Sequence, residues 1–252
     1  RAIIDQLTGD KPDNDDWKSP RPWRIERFPV ENAGWVLLEG YAGNDIPDVS
    51  RIRVHIFDPN WKRVMKQTFP TGYRMRLTDI SLVRDTPLGQ PCLVAQVSST
   101  GPFIVDDSEK PIRPAFERGK FQRQYYALAG NQFVMVRLED ENAEIVPNHY
   151  LWRSPTKGPQ VPDRKAEDWI QLLRSENSVD QLAALVWLTG RHMSSKAPRS
   201  ETRNQESVSH AAVYEAVRSN LEAPALLAEI AVSKNEWVRQ YAKLALRGDQ
   251  GP

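Results

Sequence analysis

The sequence contains few of the residues from which disulfides and metal sites are built. Its 252 residues include one cysteine and four histidines. A lone cysteine, Cys92, excludes an internal disulfide, and the scattered histidines His55, His149, His192 and His210 do not have the spacing of a zinc site. The sequence also lacks an HExxH motif, a GxxxxGK[ST] phosphate loop and a GxGxxG motif after a strand. We therefore predict no metal and no cofactor.

Long apolar runs and an excess of one charge are also lacking. No stretch approaches the roughly 18 apolar residues that a membrane-spanning helix needs. With 34 Lys and Arg against 33 Asp and Glu, the net charge of +1 gives no overall field that would attract nucleic acid or an anionic membrane. We expect other protein subunits as partners, no nucleic acid, and peripheral membrane association only through partners or a removed leader.

The cellular compartment stays open at this level. A chain without disulfides is compatible with a cytoplasmic location and equally with an exported or periplasmic one. The first residue is Arg1 rather than methionine, which suggests a removed leader or excision from a longer polypeptide. The sequence predicts neither the partner nor the oligomeric state.

The first part of the chain has the pattern of β-structure. Between residues 51 and 56, isoleucine and valine alternate with arginine and histidine, the period-two pattern of a half-buried strand. Similar runs follow at 61–69, 73–83, 91–97, 121–128 and 132–138. Gly130 and Asn131 separate the last two runs and predict a two-residue hairpin turn with positive φ at its first residue. We predict an antiparallel β-sandwich or barrel over residues 29–153, with its longest loop at 101–119.

The second part of the chain has helical periodicity. A proline-containing linker at 154–164 precedes a predicted all-helical domain at 165–247 and a short tail at 248–252. Helices are predicted at 208–218, 224–232 and 236–247, with Asn235 as the N-cap of the last one. The predicted fold class is therefore multidomain, β followed by α.

Two helical segments resemble the second-helix signature of HEAT repeats. The segment Val238–Leu246, VRQYAKLAL, carries the signature, and Val179–Trp187, VDQLAALVW, is a degenerate copy. The resemblance covers residues 165–246 and implies a short HEAT-like stack of helix pairs that binds other proteins and carries no catalytic residues. Small Ala242 and Ala245 would let helices approach closely. Arg239 is a candidate for partner contact or for capping carbonyls of a neighbouring turn.

Residues 1–28 form a segment rich in proline, aspartate and tryptophan. Proline and aspartate disfavour helix interiors and central strands, so we predict an extended arm. Trp17 and Trp23 would anchor this arm on a partner protein. In the alternative interpretation the arm lies against its own β domain, with Trp23, Ile25 and Phe28 filling a groove.

A set of basic strand residues near a tryptophan is a second candidate binding surface. Such residues on one sheet face could hold an anionic polymer through charge and stacking. In the alternative they form a solvated sheet face, balanced by acids such as Asp48, Asp58 and Asp79. The candidates are Arg51, Arg53, Lys62, Lys66, Arg74 and Arg76, with His55 and Trp61 nearby.

The sequence favours a non-enzymatic interaction or scaffold subunit of a larger assembly. One alternative is a binding module for a carbohydrate or anionic polymer, which would use Trp61, Tyr73, Tyr125 and Tyr126. A second alternative is an enzyme with a site between the domains, a frequent location for pockets. Cys92 lies in the apolar strand PCLVAQV, and we expect its thiol to behave as a small hydrophobe.

Overall fold

The computed structural model describes residues 23–29, 34–42, 50–71, 75–99, 104–105, 111–113, 121–147, 165–190, 204–220 and 225–247. In these residues ten β-strands are followed by five α-helices. The chain divides into two compact units, Arg1–Gly101 with Arg118–Val134, and Pro102–Glu117 with Met135–Pro252. The predicted class of β followed by α is confirmed.

The first sheet contains strands β1 to β4 in chain order, each antiparallel to its neighbour. Residues 23–27 were predicted to belong to an extended arm, but they form β1, and all five of them pair with β2. The sheet therefore begins before the predicted boundary at residue 29. The strands are β1 (Trp23–Arg27), β2 (Trp35–Ala42), β3 (Ser50–Phe57) and β4 (Arg63–Pro70).

The second sheet has the strand order β10-β9-β6-β5. Its strands are β5 (Met75–Val83), β6 (Cys92–Ser99), β9 (Phe121–Ala129) and β10 (Gln132–Glu139). The hairpin prediction is confirmed, because Gly130 follows β9 with a φ of +60° and β10 begins at Gln132.

The long segment between β6 and β9 was predicted as a loop without secondary structure. It contains two short strands, β7 (Ile104–Val105) and β8 (Pro111–Arg113), which pair antiparallel in a two-stranded sheet. Two or three residues are too few to give the period-two pattern from which strands are predicted. The sequence could not show this small sheet for that reason.

Apolar side chains from both sheets form the core of the first unit. Residues 36–40 of β2 and residues 52 and 54–57 of β3 are buried, and so are residues of β5 and β6. Phe28 and Phe133 bring their ring centroids to 6.0 Å. Gln67 of β4 accepts from the backbone N of Phe133 at 2.6 Å and donates to its carbonyl at 3.0 Å. The buried strand residues include Val36, Leu38, Ile52, Val54, Ile56, Ile80, Leu93, Ala95 and Val97.

The five helices of the described residues lie in the second unit, and the three helices whose bounds were predicted lie close to the predicted positions. The helix predicted at 208–218 is longer at both ends, and the one predicted at 224–232 is shorter. The last helix begins and ends as predicted, and Asn235 caps it by accepting from the backbone N of Trp237 and Val238 at 3.0 and 3.2 Å. The helices are α1 (Ala166–Arg174), α2 (Ser178–Leu188), α3 (Asn204–Asn220), α4 (Ala225–Ile230) and α5 (Glu236–Arg247).

Helix α5 is fixed to the end of β10 by a tyrosine. Tyr241 is fully buried, and its hydroxyl accepts from the backbone N of Leu138 at 2.7 Å and lies 3.4 Å from the Leu138 carbonyl. The Arg137 guanidinium donates a hydrogen bond to Gln240 Oε1 at 2.9 Å and lies 4.9 Å from the ring centroid of Trp237. The hydroxyl satisfies a backbone group that would otherwise be buried without a partner.

Candidate functional site

A five-residue turn between β3 and β4 holds an exposed tryptophan. The turn runs from Asp58 to Lys62, and Asp58 organises it. Its backbone N donates to the Lys62 carbonyl at 2.9 Å, and its carbonyl accepts from the Trp61 N at 3.0 Å. Its Oδ1 accepts from the N of Asn60 at 2.8 Å and from the N of Lys62 at 2.9 Å. These four bonds fix the backbone at Trp61.

Trp61 has the left-handed backbone conformation, with a φ of +64°. For a residue other than glycine this conformation is unfavourable by roughly 1–2 kcal/mol. A strained residue of this kind persists only where its surroundings hold it. The four bonds of the turn hold the backbone, and ring contacts hold the side chain.

The same turn occurs a second time without a tryptophan. Between Asp140 and Glu144 the hydrogen bonds repeat position for position, with Asp140 Oδ1 accepting from the N of Asn142 and of Glu144 at 2.9 Å each. Ala143 takes the place of Trp61 and has a φ of +62°. The turn therefore forms without an aromatic ring.

The indole of Trp61 rests on a second tryptophan and remains partly exposed. Its ring lies 5.0 Å from that of Trp35 at an interplanar angle of 13°, and 6.0 Å from that of Phe57 at 48°. Phe57 is buried, whereas Trp61 is 40% exposed. Val64, three residues further along, is 55% exposed. We call Trp61, Lys62 and Val64 the Trp61 surface.

Gly34 packs directly against the backbone of this turn. A Cβ at Gly34 would come within 2.9 Å of the Pro59 backbone and 3.0 Å of Asp58 C. Side chains do not normally approach backbone this closely, so the turn occupies its place because residue 34 has no side chain. The Gly34 N also donates to the Phe57 carbonyl at 2.7 Å.

His55, expected on a half-exposed sheet face, is fully buried. Its Nε2 lies 3.0 Å from Glu39 Oε2, and its ring stacks on Phe57 at 6.2 Å. Its Nδ1 has no hydrogen-bond partner among the described residues. Leu37, Glu39 and Phe57 are also buried on this face. The expectation of a solvated face is wrong here because both faces of the first sheet are covered at its centre.

The described members of the predicted basic set lie on both sheets and in the turn between β3 and β4. Arg51, Arg53 and Lys66 lie on the same face of the first sheet, as the strand register shows. Arg76 lies on β5 of the other sheet and is exposed. Arg74 lies outside the described residues, and so do Asp48 and Tyr73.

The other residues predicted to contact a partner are Trp17, Trp23 and Arg239. Trp17 lies outside the described residues, and Trp23 begins β1 opposite Glu39. Arg239 makes two bonds to its own chain, at 2.8 Å to the Ser233 carbonyl and at 3.3 Å to the Lys234 carbonyl. The capping role considered for Arg239 is confirmed.

Three buried side chains, Cys92, Tyr126 and Tyr241, have raised pKa values. Burial raises the pKa of the Cys92 thiol to about 12, and a hydrogen bond with Thr86 opposes this rise. Burial likewise raises the pKa of Tyr126 and Tyr241. These shifts keep all three groups protonated at neutral pH, and a protonated thiol is a poor nucleophile.

The described part of the chain also bears on metal binding and on membrane insertion. Within it, no group of three or more His, Cys, Asp or Glu side chains could hold a metal ion. None of its helices combines the length and the hydropathy needed to cross a membrane.

Comparison with known proteins gives no match. No protein-family model, no curated protein and no solved structure matches the chain.

Trp61 was among the residues predicted from the sequence, whereas the residues that position it were not. Trp35, Gly34 and Asp58 were not recognised as its supports. A signal was present, because Asp-x-Asn occurs at 58–60 and again at 140–142, and aspartate and asparagine are typical turn residues. The left-handed position is normally marked by glycine, and here Trp61 and Ala143 take it instead.

Proposed function

We propose that this chain is a non-catalytic protein-binding subunit and that the Trp61 surface is where a partner protein attaches. The observation that carries the proposal is an exposed tryptophan whose backbone and ring are both fixed before any partner arrives. Tryptophan is among the residues enriched at binding hot spots. A fixed side chain loses little conformational entropy on binding.

The comparison of the two matched turns supports a role beyond stability. The turn at Asp140–Glu144 has the same hydrogen bonds with alanine at the left-handed position. The turn at Asp58–Lys62 therefore does not need a tryptophan in order to form. A ring at this position adds contact area with Trp35 on one side and leaves an exposed apolar surface on the other.

The proposal includes a finer architecture for each unit. We propose that the two four-stranded sheets form a β-sandwich, which is supported by their separate strand orders and by the contact of Phe28 with Phe133. We propose that the helices form a short HEAT-like array. Its support is the burial of Val238, Ala242 and Ala245 on α5, since small residues allow close helix packing. Such arrays commonly bind proteins.

The aromatic platform that a carbohydrate module would use has less support. Of the aromatic residues considered for it, Tyr126 is buried and donates its hydroxyl hydrogen to Gln124 Oε1 at 2.8 Å. Trp61 is the exposed member of the group in the described residues. One exposed ring suits a protein anchor better than a row of sugar-stacking rings.

Crosslinking with mass spectrometry on the endogenous protein tests the proposal. Amine-reactive crosslinks from Lys62 or Lys66 to another protein identify the partner and place it at the Trp61 surface. The purified partner is then titrated with the wild type, Trp61→Gly and Ala143→Gly. We expect Trp61→Gly to weaken binding at least roughly 30-fold, corresponding to about 2 kcal/mol.

Ala143→Gly is the matched control, because it makes the same kind of backbone change in the equivalent turn. It should bind the partner like the wild type. Equal affinity of Trp61→Gly and the wild type would refute the proposal. Crosslinks that come only from other lysines, such as Lys243 on α5, would move the partner site elsewhere.

A further inference from the structure

Among the described residues, the exposed charged side chains beside Trp61 are positive. The strand register places Arg27, Trp35, Phe57 and Arg63 in one row across the same face of the first sheet. Arg27 and Arg63 occupy the two ends of this row, and both are exposed. Lys62, directly after Trp61, is exposed as well. The aromatic surface is thus flanked by cations.

The two described carboxylates of this region, Asp58 and Glu39, make contacts within the protein. Asp58 Oδ1 accepts two backbone N–H groups of the turn, from Asn60 and Lys62. Glu39 is the one carboxylate among the described strand positions of this sheet face, and it is buried at 3.0 Å from His55. On the described part of this face, a group approaching from solvent therefore meets cationic side chains around an apolar centre.

The edge of the sheet beside Trp61 is poorly suited to an added strand. Ile56 pairs with Met65 and Phe57 pairs with Arg63, so Val64 is the extra residue of a β-bulge. Bulges and basic side chains on the last strand of a sheet hinder strand addition. A partner therefore attaches through side chains over the Trp61 surface and not by extending the sheet.

Building on the proposed function, we infer that the partner presents an acidic segment with an apolar side chain that covers Trp61. The apolar side chain removes the exposed indole face from water. Carboxylates on either side of it face Lys62 and the arginines at the ends of the row. Complementary charge of this kind speeds encounter and selects the partner, and salt screens it.

Two synthetic peptides of equal length test this inference on the full chain. One alternates glutamate with leucine, and the other has lysine in place of every glutamate. Binding is measured by calorimetry and tryptophan fluorescence at low and high NaCl. We expect the glutamate peptide to bind, to weaken severalfold as NaCl rises, and to lose affinity for Trp61→Gly. The lysine peptide should not bind.

Charge reversal at one position gives the decisive comparison. Lys62→Glu should weaken binding of the glutamate peptide roughly tenfold. Lys243→Glu, the same change at an exposed position of α5, should leave it unchanged. Both variants are surface changes, and circular dichroism verifies that they fold.

The outcomes separate this inference from the proposal on which it rests. The inference of an acidic partner segment would be overturned if both peptides bound equally or if neither bound. It would also be overturned if Lys62→Glu bound the glutamate peptide as tightly as the wild type. The protein-binding function would still stand if the crosslinked partner lost affinity for Trp61→Gly. If that partner binds Trp61→Gly normally, the proposed function itself fails, whatever the peptides do.

Discussion

Replacing the two left-handed residues with glycine measures the backbone strain in each of the matched turns. Ala143 and Trp61 have φ values of +62° and +64° in turns with the same hydrogen bonds. The left-handed conformation is unfavourable by roughly 1–2 kcal/mol for a residue with a Cβ. Glycine removes this strain but loses about 0.5–1 kcal/mol through its greater freedom in the unfolded chain. Ala143→Gly should therefore stabilise the folded protein by about 0.5–1 kcal/mol.

At Trp61, substitution by glycine relieves the same backbone strain but also removes the stabilising indole ring. Trp61 is 40% exposed, so about 150 Å² of the roughly 250 Å² of a tryptophan side chain is buried. At about 25 cal/mol per Å² this burial stabilises the fold by up to roughly 4 kcal/mol. Trp61→Ala loses the ring and keeps the strain, whereas Trp61→Gly loses both. Trp61→Gly should thus be more stable than Trp61→Ala by about 0.5–1 kcal/mol.

Urea unfolding followed by circular dichroism measures these differences without depending on tryptophan fluorescence. The free energy of unfolding should be higher for Ala143→Gly than for the wild type. It should be higher by the same amount for Trp61→Gly than for Trp61→Ala. If Ala143→Gly is neutral or destabilising, the turn is not strained at that position. If the two increments differ by more than the measurement error, the turns are not equivalent, and Ala143→Gly is no longer a matched control.

Three further residues give predictions with different readouts. Gly34→Ala should displace the Pro59 backbone, so that the Trp35–Trp61 stack opens and the near-ultraviolet circular dichroism changes while the far-ultraviolet spectrum does not. Tyr241→Phe should destabilise the second unit by about 1–3 kcal/mol in urea unfolding, since the Leu138 N–H loses its buried acceptor. The raised pKa of Tyr241 keeps its proton in the folded state above pH 10, where the unfolded chain releases it. The contribution of Tyr241 to stability is therefore fully present below about pH 10 and should be lower by about 1.4 kcal/mol at pH 11. Buried Tyr126 gives a loss of the same sign, so Tyr241→Phe should show a smaller fall in stability than the wild type. Cys92, with a pKa of about 12, should react with a thiol reagent at neutral pH only as fast as the protein unfolds; rapid labelling of the native protein would contradict its burial.

Regular periodicity made most of the elements predictable. The alternating pattern of residues 51–56 and the helical pattern of residues 236–247 each gave an element at the correct place. These signals are local, since a strand or helix with one buried face repeats that face along its own sequence. The caps and turns followed from single residues, as at Asn235 and Gly130.

The failures came from contacts that a local pattern cannot contain. His55 was expected in solvent because it alternates with isoleucine and valine, but its partner Glu39 lies 16 residues away on another strand. Residues 23–27 were assigned to an arm because prolines precede them, although pairing with β2 decides their conformation. The Trp61 support was missed for the same reason, because Gly34 and Trp35 meet the turn only in the folded sheet.

The choice between a structural and a binding role for Trp61 depends on which part of its ring is used. A tryptophan kept only for stability would gain most by burying its whole side chain, as Trp169 and Trp187 do in the second unit, where they stack at 4.2 Å with 5% and 3% of their surface exposed. Trp61 instead stacks one face on Trp35 and leaves 40% of its surface in water, in a backbone conformation that disfavours any side chain. The stack fixes the direction in which the exposed face points, and a fixed apolar face between cations is what an acidic, apolar partner segment would contact. The stability of the fold accounts for the buried part of the ring, and the proposed partner binding would account for the rest.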